Sequence, residues 1–421
     1  MGRLRIRGIS IARRRPGVAA EALLIGFAGV LLLGAGAIAQ LDSPWVWGPR
    51  LGAFGDTFVT VTWNVLRPVE IEVRYGQAAT YEADGTWEET LLFPRHQGIA
   101  EIRLDGLSPA TRYAYQVMVY EGDATHPSPI GEFTTPTPGE YAFSLLVYGN
   151  TGGLPERHAL VIDAMRARDG GALFVVNLGP IAGAGCADAF DEQLLDAIGE
   201  LAVSRPYLTV AGLSERDCEA YYDSFALPIG GGTFDEQWWS FDVGGLHLVA
   251  IDVSTPEGPE AAAEIAEQVD WLAADLADNA ARFTVVLMRE AMYSAALPEG
   301  VNEELRLRWE DALIEGSVDL VLAGGAGRYE HLYIGGIHHV VTAGGGGPLI
   351  EPPRVAARGT VCARYRTLHY LRVSVSAEGL QVEAVPVAIL HESGTDEDGA
   401  PIYEVEIVRF ADPMDVFTIQ P

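Results

Sequence analysis

Five loops between residues 139 and 350 hold the side chains whose types and spacing bear on chemistry. They are Gly149-Asn150-Thr151, Leu178-Gly179-Pro180, Ala211-Gly212-Leu213-Ser214-Glu215, Met288-Arg289-Glu290 and Gly324-Gly325-Ala326-Gly327-Arg328-Tyr329-Glu330. A hydrolytic centre built on two divalent cations needs carboxylates, an amide oxygen and imidazoles converging on both ions. These loops supply little of that set. Pro180, Gly325 and Gly327 carry no side-chain donor, Leu213 is apolar, and Arg289 is a permanent cation that repels a metal ion. Asn150 offers a carbonyl oxygen but no charge. The nine histidines do not rebuild a site: His338-His339 are adjacent, so on a strand they point to opposite faces, and His247 alternates with core positions. Asp396-Glu397-Asp398-Gly399 lacks the spacing of a calcium loop and reads as an acidic hairpin turn.

The elements that must position these loops fall into two groups. Residues 41–137 are rich in short strands with period-two alternation, among them Phe58–Trp63, Val69–Tyr75, Ile99–Leu104 and Tyr113–Tyr120. Asp84-Gly85 and Asp105-Gly106 mark turns, and the spacing predicts a β-sandwich. Thr134-Thr135-Pro136-Thr137-Pro138-Gly139 reads as a linker. Beyond it, strands at 141–148, 172–177, 207–210, 239–243, 246–251, 282–288, 318–322 and 338–342 alternate with helices at 158–168, 188–203 and 259–280. That order predicts a mixed α/β layer architecture. Residues 369–410 return to strands.

Residues 45–350 resemble a calcineurin-type metallophosphoesterase of the purple-acid-phosphatase-like branch with its fibronectin-like front domain. The match rests on residues outside the metal site. These are Trp238-Trp239-Ser240-Phe241-Asp242-Val243-Gly244, Ile251-Asp252, Gln268 with Trp271-Leu272, Met292-Tyr293-Ser294, Val318–Leu322, Tyr329-Glu330, Gly344–Leu349 and His369–Val373. Leu107-Ser108-Pro109-Ala110-Thr111-Arg112-Tyr113 resembles the tyrosine corner of fibronectin type III domains. The resemblance implies an N-terminal fibronectin III-like sandwich over 41–137 and a four-layer sandwich over 139–421, two mixed sheets flanked by helices. It also implies metal ligands at Asn150, Pro180, Leu213, Ser214, Arg289, Gly325 and Gly327, and none of these matches the family's aspartate, asparagine or histidine there. The chain therefore reads as a non-catalytic relative without metal cofactor; the alternative is an active phosphoesterase whose rearranged site still binds divalent metal ions. In the first reading Arg289 fills the former cation space and pairs with Glu215 or Glu290. In this fold the loops holding Cys186 and Cys218 rise from the same end of neighbouring strands, which makes them a candidate disulfide and leaves Cys362 over.

The formal net charge is −30, and every one of the 28 basic residues is arginine. Such a surface repels nucleic acid at long range, so the expected partner is a protein or small ligand. Arg3, Arg5, Arg7 and Arg13–Arg15 precede an apolar stretch over 22–39 that ends in Ala37-Ile38-Ala39. Residues 1–39 thus read as a signal peptide, with a membrane anchor through 17–39 as the alternative. Either places the remainder outside the cytoplasm.

Overall fold

In the computed structural model of the chain, the described residues are 4–6, 43–139, 142–152, 154–181, 196–255, 258–325, 327–350, 356–395, 401–409 and 412–421. Residues 17–39, Cys186 and the turn at 396–399 lie outside them. The front sheet comprises β1 (Leu4–Ile6), β2 (Trp45–Gly55), β3 (Phe58–Gln77), β4 (Glu89–Asp105), β5 (Arg112–Glu121), β6 (Ala124–Pro127) and β7 (Gly131–Thr134), with one short helix α1 (Ala78–Asp84). The 20-residue β3 serves two layers. Its first half pairs with β2, its second half with β5, and β4 runs antiparallel beside both. Val59, Val61, Trp63, Val65, Val69, Ile71, Val73 and Tyr75 are all buried, so alternate side chains in each half of β3 enter the core, with the half-buried Arg67 between the halves. The corner before β5 is locked by Ser108 N–H donating to Tyr113 Oη at 2.8 Å.

The front sheet is fused to the rest of the chain. Ala53 N–H donates to Ala226 O at 2.6 Å. At Gly52 an added Cβ would lie 2.4 Å from that same oxygen, so only glycine lets the two backbones approach this closely. Phe54 packs its ring 5.2 Å from Phe174 and 5.4 Å from Phe241. Tyr115 Oη donates to Val203 O at 2.8 Å.

The second sheet begins with β8 (Phe143–Tyr148), α2 (Pro155–Arg168), β9 (Phe174–Asn177), α3 (Asp196–Ala202), β10 (Tyr207–Thr209) and the short α4 (Glu219–Ser224). The third sheet holds β11 (Gly230–Gly231), β12 (Trp238–Val243), β13 (Leu246–Ile251), β14 (Phe283–Met288), β15 (Leu320–Ala323), β16 (Tyr329–Ile334), β17 (Ile337–Thr342) and β18 (Thr360–Arg364). Helices α5 (Ala261–Asp278) and α6 (Glu303–Glu315) fall between its strands. The chain then rejoins the second sheet with β19 (Thr367–Val375), β20 (Leu380–Thr395), β21 (Pro401–Ile407) and β22 (Asp415–Ile419). The second sheet runs β10-β9-β8-β19-β20-β21 and the third β11-β12-β13-β14-β15-β17-β16-β18. β8, β9 and β10 are parallel, as are β13, β14 and β15.

Alternation along the central strands fixes the layers. Leu248, Ala250, Val285, Leu287, Leu320 and Leu322 join the core between the sheets. Val249, Ile251, Val286, Met288, Val321 and Ala323 face outward and pack with Leu272 and Leu276 of α5 and Leu305, Trp309 and Leu313 of α6. The last three stand at i, i+4, i+8, one face of a helix. Asn302 caps α6 by accepting from Leu305 N–H at 3.2 Å. With α2 against β19 and β20 of the second sheet, the layers run helix, sheet, sheet, helix. Among the described residues no helix is long and apolar enough to cross a membrane.

Helix α5 is tied to the edge hairpin by His247, whose Nδ1 lies 2.8 Å from Asp242 Oδ1 and whose Nε2 lies 2.9 Å from Asp275 Oδ2. Ser240 Oγ donates to the other Asp275 oxygen at 2.6 Å. Burial alone would lower this imidazole's pKa, but the hydrogen bonds and charges of Asp275 and Asp242 outweigh it and raise the pKa above its ordinary value. A raised folded-state pKa contributes stability that is fully present below the unfolded value of about 6.5 and is lost as pH rises through the folded value. Urea midpoints measured across that range should fall as pH increases; His247→Gln should flatten this step, and an unchanged profile would rule out the charged strut.

Candidate functional site

The carboxyl ends of the parallel strands carry all five sequence-selected loops, as expected where strands of open α/β sheets deliver ligand-facing loops. Four close approaches of backbone bring them together. An added Cβ at Gly149 would sit 3.0 Å from Gly179 O and 3.1 Å from the Cα of Gly324, and one at Gly324 would meet Leu178 O at 2.7 Å and Arg289 O at 3.1 Å. The loops after β8, β9, β14 and β15 are thus in mutual contact.

Arg289 lies across this junction. A Cβ on Gly212 would be 2.0 Å from Arg289 Cδ, and one on Gly179 3.5 Å from it, so the side chain runs over two glycine surfaces. Its Nη1 donates to Glu215 Oε2 at 2.9 Å and to Ser214 Oγ at 3.1 Å. Glu215 is buried, and its Oε1 accepts from Ile181 N–H at 3.3 Å. One carboxylate therefore joins the loop after Pro180, the loop after Gly212 and the arginine. Of the two carboxylates offered by the sequence, the ion pair uses Glu215. Glu290 is exposed and has no ion-pair or hydrogen-bond partner among the described residues.

Asn150 has a different occupation. It takes a positive φ of 61° and is buried. Its Nδ2 donates to Ala343 O at 3.2 Å and Pro348 O at 2.7 Å, while its backbone O accepts from Gly347 N–H at 2.6 Å. The side chain clamps the glycine run after β17 as a donor, a role closed to a carboxylate. Gly327 shares this neighbourhood, since a Cβ there would be 2.9 Å from Pro348 O. Gly325 and Gly327 have φ of 87° and 60°, so an imidazole-bearing residue at either would be strained. Leu213 points outward and is 63% exposed. Among the described residues no group of three or more His, Cys, Asp or Glu is placed to hold a metal ion. Burial pushes His338, His339 and His369 down to about 4, so these three are neutral. His338 and His339 do face apart: His338 Nδ1 is 2.9 Å from His331 Nε2, and His339 stands edge-on to Tyr293 at 5.0 Å.

Beside Arg289 a cavity of about 320 Å³ opens, lined by Pro180, Arg289, Glu290, Ala291, Ala296, Leu297, Asn302 and Gly325. Sequence reasoning did not single out Asn302 or the wall at 295–297, although Ser294 beside it is among the residues carrying the family resemblance. The wall is held by buried Glu330, whose Oε2 accepts from Ser294 Oγ and from Ala295 N–H at 3.1 Å, and whose Oε1 faces Arg328 Nη1 at 3.5 Å. Asn302 was readable as a helix cap before Glu303-Glu304; its place at the cavity depends on tertiary packing. Cys218 is disulfide-bonded and Cys362 carries a free thiol.

No family model matches the chain, and no curated protein matches it. Solved structures do. Purple acid phosphatase PPD1 from yellow lupin (Lupinus luteus) seeds superposes with a TM-score of 0.64 at 17% identity, over 88% of this chain and 74% of that one. The structure of PhoD superposes with a TM-score of 0.62 at 11% identity, over 86% and 89%. The chain has the calcineurin-like metallophosphoesterase fold behind a β-sandwich.

The Arg289–Glu215 pair is largely desolvated, with side-chain exposures of 13% and 4%. Removing one partner strands the other charge. Arg289→Met or Glu215→Leu alone should each cost about 3–5 kcal/mol, and the double variant much less than the sum. Chemical denaturation of the four proteins measures this; additive losses would mean the two side chains do not act as a unit.

Proposed function

We propose that this chain is an exported, non-catalytic relative of the metallophosphoesterases, with a binding or structural role at the cell envelope. The observation that carries the reading is the guanidinium of Arg289, laid over Gly179 and Gly212 and paired with Glu215. A fixed positive charge at the junction of the strand-end loops disfavours a second cation there. The remaining donor set does not fit two divalent ions. Asn150 spends its amide on Ala343 and Pro348, Pro180 has no donor, and Ser214 and Glu215 are committed to Arg289. Without such ions nothing in the loops would generate hydroxide or neutralise phosphoryl oxygens.

Export is supported by the arginines before residue 16, the apolar stretch 22–39 and Ala37-Ile38-Ala39, which read as a signal peptide or anchor. The disulfide on Cys218 suits an oxidising compartment. The strongly acidic composition argues against nucleic acid as a partner.

Elemental analysis of purified chain, with p-nitrophenyl phosphate turnover alongside, tests the reading. Neither stoichiometric iron, zinc or manganese nor turnover above the blank is expected. One or more equivalents of metal together with hydrolysis would establish the alternative, a phosphoesterase with a reduced site. Separately, Asn150→Asp would turn a carboxylate toward the carbonyls of Ala343 and Pro348; it should lower stability by about 1–3 kcal/mol without creating metal binding, both readable by thermal melts with and without added zinc.

A further inference from the structure

The cavity beside Arg289 has the composition of a small-ligand site. Its walls are mostly apolar, from Pro180, Ala291, Ala296 and Leu297, and its polar groups are few, as in pockets that bind small organic molecules. At about 320 Å³ it is at the lower end of the usual range of roughly 300–1,000 Å³. Two lining residues hold unused donors. Nη1 of Arg289 is spent on Ser214 and Glu215, but Nε and Nη2 have no acceptor among the described residues. Those two atoms form the side of the guanidinium that grips a carboxylate in two parallel hydrogen bonds. Asn302 uses its Oδ1 to cap α6, and its Nδ2 likewise has no acceptor among the described residues.

We propose that this cavity binds a small organic monocarboxylate with a compact apolar body, its carboxylate on the Nε/Nη2 side of Arg289. The inference rests on the non-catalytic reading above, because a metal-loaded site would hold a different charge. Exposed Glu290 lines the same cavity and has no ion-pair partner among the described residues. A single negative charge can be met by the guanidinium. A second, as in a dicarboxylate or inorganic phosphate, would come up against the Glu290 carboxylate. The apolar body of the ligand would be covered by Ala291, Ala296 and Leu297.

Isothermal titration of the full chain, on protein shown to be metal-free, tests this with 4-methylpentanoate, succinate and inorganic phosphate. 4-Methylpentanoate should saturate one site, and succinate and phosphate should bind about tenfold more weakly or not at all. Ala296 is exposed, so Ala296→Phe should fold normally while filling the cavity, and should weaken 4-methylpentanoate binding about tenfold or more. Arg289→Met should do the same if it folds. Glu290→Gln should narrow the gap between succinate and 4-methylpentanoate. No saturable binding of 4-methylpentanoate, binding that survives Ala296→Phe, or a preference for phosphate would each overturn the proposal. Finding metal in the protein would instead sink the functional reading on which it rests.

Discussion

The geometry of the strand-end loops turns on one desolvated ion pair. Arg289 and Glu215 come from opposite sheets, and each would be costly to bury alone. Together they hold the loop after β14 against the loop after β10, and the second oxygen of Glu215 reaches the backbone at Ile181. The glycine at 212 follows from this, because a Cβ there would lie 2.0 Å from Arg289 Cδ, whereas Gly179 is set by its positive φ of 66°. The Arg289–Glu215 pair and the bare Gly212 are therefore one structural solution.

A second solution operates a few residues away. Asn150 faces two carbonyl oxygens and satisfies both as a donor. In a dinuclear centre the side chain at such a position would present lone pairs to a cation; here the polarity is inverted and the partner is backbone. Hydrogen bonds and one ion pair thus join the loops at their close contacts.

Much of this was legible in the sequence, for physical reasons that differ by element. The alternation along β3 and the continuous apolar runs of β13, β14 and β15 announce strands buried on one face or on two. Tyr113 could be assigned to a corner because its spacing from Ser108 is local. The placing of Asn150, Pro180, Ser214, Arg289, Gly325 and Gly327 on strand-end loops was what the family resemblance implied. What the sequence left open was the choice of partner: Glu290 is next to Arg289 in the chain, but adjacent residues on an extended strand end diverge, and Glu215, 74 positions away, takes the bond. His247 was readable only as an alternating strand residue, because Asp275 reaches it from another element. Leu213 shows the same limit from the other side, since its loop belongs to the junction while its side chain leaves it.

The seam between the front sandwich and the α/β body has a mechanical consequence. Backbone meets backbone at Ala53 and Ala226, aromatic rings interlock at Phe54, Phe174 and Phe241, and Tyr115 reaches Val203. Although the threonine- and proline-rich stretch at 134–139 has the composition of a joint, it has no freedom to swing. Tension applied to the sandwich is carried as shear through these contacts, so under force the molecule must rupture along a packed face before it can unhinge.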